Sequence, residues 1–361
     1  MTAKATLLPG WRVRARGAES NRAGRFETTE IEAFDDGWDL PEDERLISTE
    51  VRVERPRSAL TFNRSPDLPF DRSVNPYRGC EHGCIYCYAR PSHAYLNLSP
   101  GLDFETRLIA RPGIAAVLET ELRRASYKLA PVAIGTNTDP YQPVERDYGI
   151  MREVLAVLSA FHHPVWITTR GTTIERDIDL IAALAAEGLA AVSISVTTLD
   201  EALARKMEPR APAPKRRLQM IRRLADAGVP VRIQVSPLIP ALTDHELEEV
   251  MEAGRDAGAR AANTIPLRLP LEVSGLFRDW LEATIPDRAA RVMGRVRELH
   301  GGRDYDPEFG TRMRGQGLWA DLIHRRAVLA RKRLGLEEGL PPLRTDLFHP
   351  PPRAGDQLSL F

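Results

Sequence analysis

The feature that most limits the fold is a repeat of short, apolar, β-branched runs, each followed by an amphipathic stretch. The runs are VAIGT (132–136), VWITTR (165–170), AVSISV (191–196), VRIQVS (231–236) and NTIPLRL (263–269). Helical patterns at 113–125, 152–160, 174–186, 215–227 and 244–257 lie before and between them. Runs that are apolar on both faces suit strands buried in a parallel sheet, joined by right-handed helical crossovers. Three of the helical stretches end at Gly188, Gly228 and Gly258, where a left-handed C-cap would release the chain into the next strand. One more strand just ahead of residue 80 brings the count to about six βα units, which predicts an α/β fold, a partial (β/α)6 barrel of the TIM type rather than the full eight. A flat doubly wound sheet is the alternative, but no glycine-rich dinucleotide fingerprint follows any run.

The flanks read differently. Residues 1–70 lack sustained periodicity and are expected to form an N-terminal extension wrapped on a barrel of residues 71–272. Residues 273–340 carry further helical patterns, near 273–298 and 317–335, and 341–361 form a proline-rich, extended tail. Fifty basic residues balance fifty acidic ones, so bulk charge gives no argument for nucleic-acid binding. The charge is uneven, however. Residues 27–44 hold nine carboxylates and no Lys or Arg, and residues 205–223 hold eight basic residues and one acid. That stretch is either ordinary solvated surface or a basic stripe. Nothing approaches the roughly 18–20 apolar residues of a membrane span. The N-terminus does not read as a signal peptide, and a cytoplasmic location is expected.

All three cysteines of the chain, Cys80, Cys84 and Cys87, fall in the segment NPYRGCEHGCIYCYARPSHAY at 75–95. An odd, clustered set is no disulfide framework and points to a reducing compartment. Three thiolates on one loop can hold a cubane iron–sulfur cluster and leave one iron without a protein ligand. A zinc site with His82 as fourth ligand is the rival reading.

The spacing C-x3-C-x2-C, with Tyr86 as the aromatic before the third cysteine, resembles the signature of the radical S-adenosylmethionine superfamily. The wider wording is similar to its spore photoproduct lyase-like branch: NPYRGCEHGCIYCYAR, IGTNTDPYQPVE (134–145), SVTTLD (195–200), MEPRAPAPKRRL (207–218) and SPLIPALTD (236–244). The resemblance implies a [4Fe–4S] cluster whose open iron chelates S-adenosylmethionine, and reductive cleavage to a 5′-deoxyadenosyl radical that abstracts hydrogen. It also implies a one-electron donor such as flavodoxin or ferredoxin, and lyase-like chemistry in DNA repair. Lyases of that branch use a further cysteine as hydrogen donor. This chain has no fourth cysteine, so a tyrosine such as Tyr88, Tyr95 or Tyr141 would have to serve, or the substrate differs.

Barrel ligands sit at the C-terminal ends of strands. There the resemblance implies cofactor contacts from Gly135, Asn137 and Asp139, for which an Asx turn before Pro140 is the structural alternative. Ser195 is a candidate for the ribose or carboxylate, or a buried serine bonded to backbone. Arg210 offers a fork for a carboxylate or phosphate, or forms an ion pair with Glu208. Ile239 lies in a segment that would pack the adenine. The loop from Gly310 to Gly315, with Arg312 and Arg314, could lie on phosphates or be a solvated connection. The chain ends in Gln357, Leu358, Ser359, Leu360 and Phe361, which resembles the pentapeptide that binds the bacterial sliding clamp. The two resemblances together imply a radical S-adenosylmethionine enzyme, with DNA as the expected substrate class. The rivals are modification of RNA or protein, and a non-catalytic iron–sulfur protein that senses redox state or binds DNA.

Overall fold

The structure is a computed structural model that describes residues 16–26 and 47–352. The acidic stretch at 27–44 and the terminal pentapeptide lie outside the described residues. The main sheet runs, in spatial order, Ala261–Pro266, Val231–Leu238, Ala190–Ser195, Val165–Thr169, Val132–Ile134, Arg72–Val74 and Leu60–Phe62. The first six of these pair in parallel, and in chain order we call them the first (Arg72–Val74) to the sixth (Ala261–Pro266) barrel strand. Leu60–Phe62 is an antiparallel edge strand on the first. The expected partial barrel is present, open between its two outer strands.

The crossovers follow the helical periodicity. Helices Ile114–Leu122, Ile150–Ala160, Ile178–Ala186, Pro214–Asp226 and Leu247–Asp256 precede the second to sixth strands. They bury Leu118, Leu155, Ile181, Ile221 and Val250 against Ile134, Ile167, Ile194 and Ile233 of the sheet. Gly188, Gly228 and Gly258 all have positive φ, +75°, +82° and +102°. An L side chain resists that conformation, so these positions end the helices as expected.

The N-terminal segment lies along the barrel: Leu60–Phe62 borders it, and Glu50–Val53 pairs in parallel with Arg107–Ala110 of a second small sheet completed by Tyr77–Arg78. Two details differ from the sequence expectations. The sixth strand begins earlier than residue 263 and ends at Pro266, which has no amide to extend the ladder. The helical region at 273–298 is two helices, Glu272–Thr284 and Pro286–Leu299, because Pro286 starts a helix more readily than it continues one. A last helix spans Gly317–Leu334. No described helix is long and apolar enough to cross a membrane.

Helix Leu247–Asp256 lies so close to the fifth strand that a Cβ on Gly254 would meet Ile233 Cδ1 at 2.4 Å and Cγ2 at 2.7 Å. Both contacts are rigid core. Gly254→Val is therefore expected to destabilise the fold by about 1–3 kcal/mol through overpacking, read as a lower urea midpoint. An unchanged midpoint would mean that helix and strand are not packed this tightly.

Candidate active site

A cavity of about 630 Å³ opens at the C-terminal ends of the barrel strands. Cys80, Cys84 and Cys87 form part of its wall, together with residues 135–139 after the second strand, Thr168 to Arg170 at the end of the third, and Ser193 and Ser195 of the fourth. Gln234 and Asn263 come from the fifth and sixth strands, and Arg232, Arg268 and Trp166 also face it. The barrel thus presents polar and basic groups to a loop of three thiols.

The cysteine loop is positioned by buried polar contacts. Arg90, fully buried, donates from Nε to the Cys84 carbonyl at 3.0 Å and from Nη1 to the carbonyls of Pro100 and Gly101 at 3.1 and 2.9 Å. Its Nη2 pairs with Glu105 Oε1 at 2.5 Å. The Glu105 carboxylate also accepts from the amides of Gly17 and Ala18, both at 2.9 Å. Cys80 N donates to the Phe104 carbonyl at 2.9 Å, and Gln142 clamps the Glu81 amide at 2.9 Å and the Gly79 carbonyl at 3.1 Å. Gly83 adopts φ +66°, and a Cβ there would lie 2.7 Å from Glu105 Oε2. The loop needs glycine for both conformation and space.

Burial pushes the Cys80 thiol well above its ordinary value, with Asp139, Cys84 and Cys87 adding to the shift. Burial likewise pushes Cys84 up to about 12, against the pull of Arg170. Free thiolates are costly here, so a cationic iron cluster that replaces the protons suits the donor set. Among the described residues no three His, Cys, Asp or Glu side chains converge on one ion. A cubane takes one thiolate per iron and needs no such convergence. His82 is aimed elsewhere, its Nδ1 lying 3.4 Å from Asp139 Oδ2. The three thiols therefore fit an iron–sulfur cluster.

Beside them lies a buried charge network. Arg170 Nη1 donates to Cys84 Sγ at 3.0 Å, to Tyr86 Oη at 2.7 Å and to Glu208 Oε1 at 2.7 Å. Tyr86 donates to the same Glu208 oxygen and lies 3.1 Å from Thr197 Oγ1. Arg217 pairs with the other Glu208 oxygen and donates to the Ser195 carbonyl at 3.1 Å. Burial raises the Glu208 carboxyl, but Arg217 and Arg170 more than offset this and hold it at about 2. Asp139 behaves alike. Burial is outweighed by His82, Thr169 and the Arg170 amide, leaving its carboxyl at about 2.

The predicted residues divide by position. Cys80, Cys84, Cys87, Tyr86, Tyr88, Gly135, Asn137, Asp139 and Ser195 all line the cavity. Asp139 also closes an Asx turn, accepting from the Tyr141 amide at 2.9 Å, and it takes bonds from Thr169 Oγ1 at 2.5 Å and the Arg170 amide at 2.9 Å. Gly135, with φ +89°, is a close approach: a Cβ there would sit 1.9 Å from the Thr168 carbonyl oxygen. Arg210, Tyr95, Tyr141 and Ile239 do not line it. Arg210 pairs with Glu81 at 3.0 Å, not with Glu208, which is already taken by two other arginines. Tyr95 is 70% exposed and packs on Phe26, and Tyr141 is buried near Asp177. Ile239 packs in the apolar cluster behind Ile85 and Tyr86. Arg312 reaches the cavity rim but is paired with Asp67 at 2.5 Å, and Arg314 pairs with Asp321 at 3.2 Å. Sequence reasoning missed Arg170, Arg232, Arg268 and Glu208 as site residues. The positions of Arg170, Arg232 and Arg268 in the strand runs VWITTR, VRIQVS and NTIPLRL are the sequence signal that could have flagged them, and Glu208 has none.

Two carboxyls held near 2, below their ordinary values of 4.5 and 3.8, add stability that is present at neutral pH. It is lost as pH falls through those ordinary values toward the folded ones. The urea midpoint is expected to be level between about pH 7 and 5 and to fall below about pH 4.5. Glu208→Gln should lower stability at pH 7 by about 3–5 kcal/mol, because two buried guanidinium groups lose their counter-charge, and should flatten the acid slope. Equal acid slopes in the variant and the unmodified protein would remove Glu208 from this role.

Residues 74–254 match the family model of the Radical SAM superfamily. Uncharacterized proteins of Mycobacterium tuberculosis and Mycobacterium bovis are 39% identical over 256 residues, covering 70% of this chain and 74% of theirs. Among solved structures, a spore photoproduct lyase mutant with bound AdoMet and dinucleoside spore photoproduct superposes with a TM-score of 0.51 at 15% identity, covering 65% of this chain and 67% of that one. A second spore photoproduct lyase mutant gives 0.50 at 15% identity and covers 65% of this chain and 66% of its own, just under two thirds of that chain. At such identity these two structures speak to the fold alone. The chain belongs to the radical S-adenosylmethionine superfamily and is a radical SAM enzyme, with that family's [4Fe–4S] cluster and S-adenosylmethionine as cofactors.

Proposed function

We propose that this enzyme acts on DNA, in a repair-like reaction related to that of the spore photoproduct lyases. The observation that carries the reading is the cavity wall beyond the cysteines. Arg232 lies over the Trp166 ring at 5.4 Å and Arg268 over the Tyr88 ring at 4.9 Å. Among the described residues neither arginine pairs with a carboxylate, and Arg268 Nη1 lies 2.7 Å from Met313 Sδ. Burial lowers the Arg232 pKa, so an anion entering the cavity would relieve an unpaired buried charge. The carboxylates on the wall, Asp67 and Asp139, are engaged with Arg312 and with Thr169 and Arg170. Gln234 offers a donor and an acceptor to a base edge and Asn263 its Nδ2 donor, whereas the Asn63 amide is taken up by the Phe70 carbonyl and the Ser65 amide, and the aromatic rings offer stacking surfaces. Phosphate, base edge and stacking together fit a nucleotide better than a peptide.

The bound cofactors supply a 5′-deoxyadenosyl radical by one-electron reductive cleavage of S-adenosylmethionine. The protein holds the three thiols by Arg90 and Gln142, keeps Tyr88 at the cavity, and encloses the space at the strand ends. Of the three tyrosines considered as hydrogen donors, Tyr88 alone faces the cavity, its hydroxyl bonded to the Thr136 carbonyl. It is the proposed donor in place of a cysteine. The electron is assigned to a small reduced carrier of the flavodoxin or ferredoxin type, and the setting to the cytoplasm.

Arg268→Gln and Arg232→Gln should each weaken binding of a short DNA strand by about 1.5–3 kcal/mol, the range for a bond to a charged group, with iron content unchanged. Tyr88→Phe should leave binding intact and slow product formation by about tenfold or more, at least about 1.4 kcal/mol in barrier. Preferential binding of RNA or of peptide, insensitive to both arginines, would redirect the substrate assignment.

The terminal residues 357–361 extend the proposal to a partner, the bacterial sliding clamp. Leu360 and Phe361 would be the apolar anchors, and a short peptide with two such anchors should reach only about −7 to −8 kcal/mol, in the micromolar range. Titrating a labelled peptide of the tail against purified clamp should give saturable binding that is lost when 357–361 are removed. No saturation up to about millimolar peptide removes the clamp from the account.

A further inference from the structure

Arg170 stands where the third barrel strand ends and is the one guanidinium that the structure places on a cysteine sulfur, 3.0 Å from Cys84 Sγ among the described residues. It has little freedom to leave. Its amide donates to Asp139 at 2.9 Å, and its Nη1 is shared by Tyr86 Oη and Glu208 Oε1, each at 2.7 Å. The side chain is 15% exposed, and those of Glu208 and Arg217 are each 1% exposed. Glu208 lies between the two guanidinium groups, so this buried trio carries one net positive charge beside the thiols. Asp139 faces His82 and Thr169 rather than the guanidinium itself.

A cluster gains one negative charge when it takes up an electron. Donors to its sulfurs and nearby positive charge favour that reduced form, and they count for more where water is excluded. From this geometry we infer that Arg170 raises the reduction potential of the cluster by donating to Cys84 Sγ. Glu208 and Tyr86 act as positioning residues that fix the guanidinium. The inference rests on the cluster assignment and goes beyond it, because it assigns the control of electron entry to one side chain outside the cysteine motif. The electron comes from a reduced one-electron carrier, no proton is transferred, and no bond at Arg170 is made or broken.

The test is an anaerobic dithionite titration of the reconstituted enzyme, followed by the electron paramagnetic resonance of the reduced cluster. Arg170→Gln is expected to keep its iron and to shift the one-electron reduction equilibrium at least tenfold toward the oxidised form, about 59 mV more negative. An unshifted midpoint with full iron content overturns the inference. So does a variant whose change is confined to S-adenosylmethionine affinity. Because this substitution could unsettle Glu208, a second measurement uses the unaltered chain. Protein grown with ¹⁵N-arginine should show a weak nitrogen coupling to the reduced cluster in pulsed resonance spectra, and its absence also overturns the inference. Failure of the unaltered protein to take up iron would defeat the cluster assignment itself, a separate result.

Discussion

The structure around the thiols depends on one buried carboxylate. Glu208 accepts from Tyr86 of the cysteine loop, Arg170 of the third strand end, Thr197 after the fourth strand and Arg217 of the following helix. Two segments remote in sequence, at Tyr86 and Arg170, are thereby held to the same point as the nearer Thr197 and Arg217. Replacing such a network with apolar groups can be neutral in stability, so its value is positional. It orients the ring that precedes Cys87 and fixes a guanidinium against Cys84. The tyrosine hydroxyl is part of that design, since phenylalanine would fill the same space and leave Glu208 one donor short.

The same electrostatic reasoning separates the charges around the cavity into two sets. On the cysteine side the charges lie against counter-charges or donors: Arg90 has Glu105, Arg210 has Glu81, Asp139 has a set of donors, and Arg170 and Arg217 share Glu208, which leaves one net positive charge. Elsewhere on the wall Arg232 rests on the Trp166 ring and Arg268 on the Tyr88 ring, next to Cys87, without a carboxylate among the described residues. Groups left unpaired in an enclosed space ask for a ligand of opposite charge.

Much of this was legible in the sequence, for reasons of range. Strand and helix periodicity, the glycine C-caps and the C-x3-C-x2-C spacing are local signals, and each reappears in the fold at its expected place. The ends of the second to fourth strands also carried their polar residues into the cavity as barrel geometry requires. What escaped was long-range pairing. Arg210 and Glu208 look like natural partners two residues apart, yet Glu208 turns inward to Arg170, 38 residues away, while Arg210 reaches Glu81, 129 residues away. Tyr95 and Tyr141 sit near the right motifs, but one faces solvent and the other is buried apart from the cavity. No local pattern reports which way such a side chain points. The edge strand Leu60–Phe62 was missed for a related reason, since a three-residue strand has too little periodicity to read.

The central claim is that a radical generated at the three thiols is delivered to DNA in this cavity. Its most direct test is isotope transfer. Anaerobically reconstituted enzyme would be given S-adenosylmethionine, dithionite and DNA deuterated at thymine, with or without prior ultraviolet damage. The 5′-deoxyadenosine formed would then be analysed by mass. The account predicts deuterium in 5′-deoxyadenosine from damaged DNA, with the cysteine variants forming none of this product. Abundant 5′-deoxyadenosine free of deuterium with every DNA tried, but labelled from RNA or peptide, would contradict it.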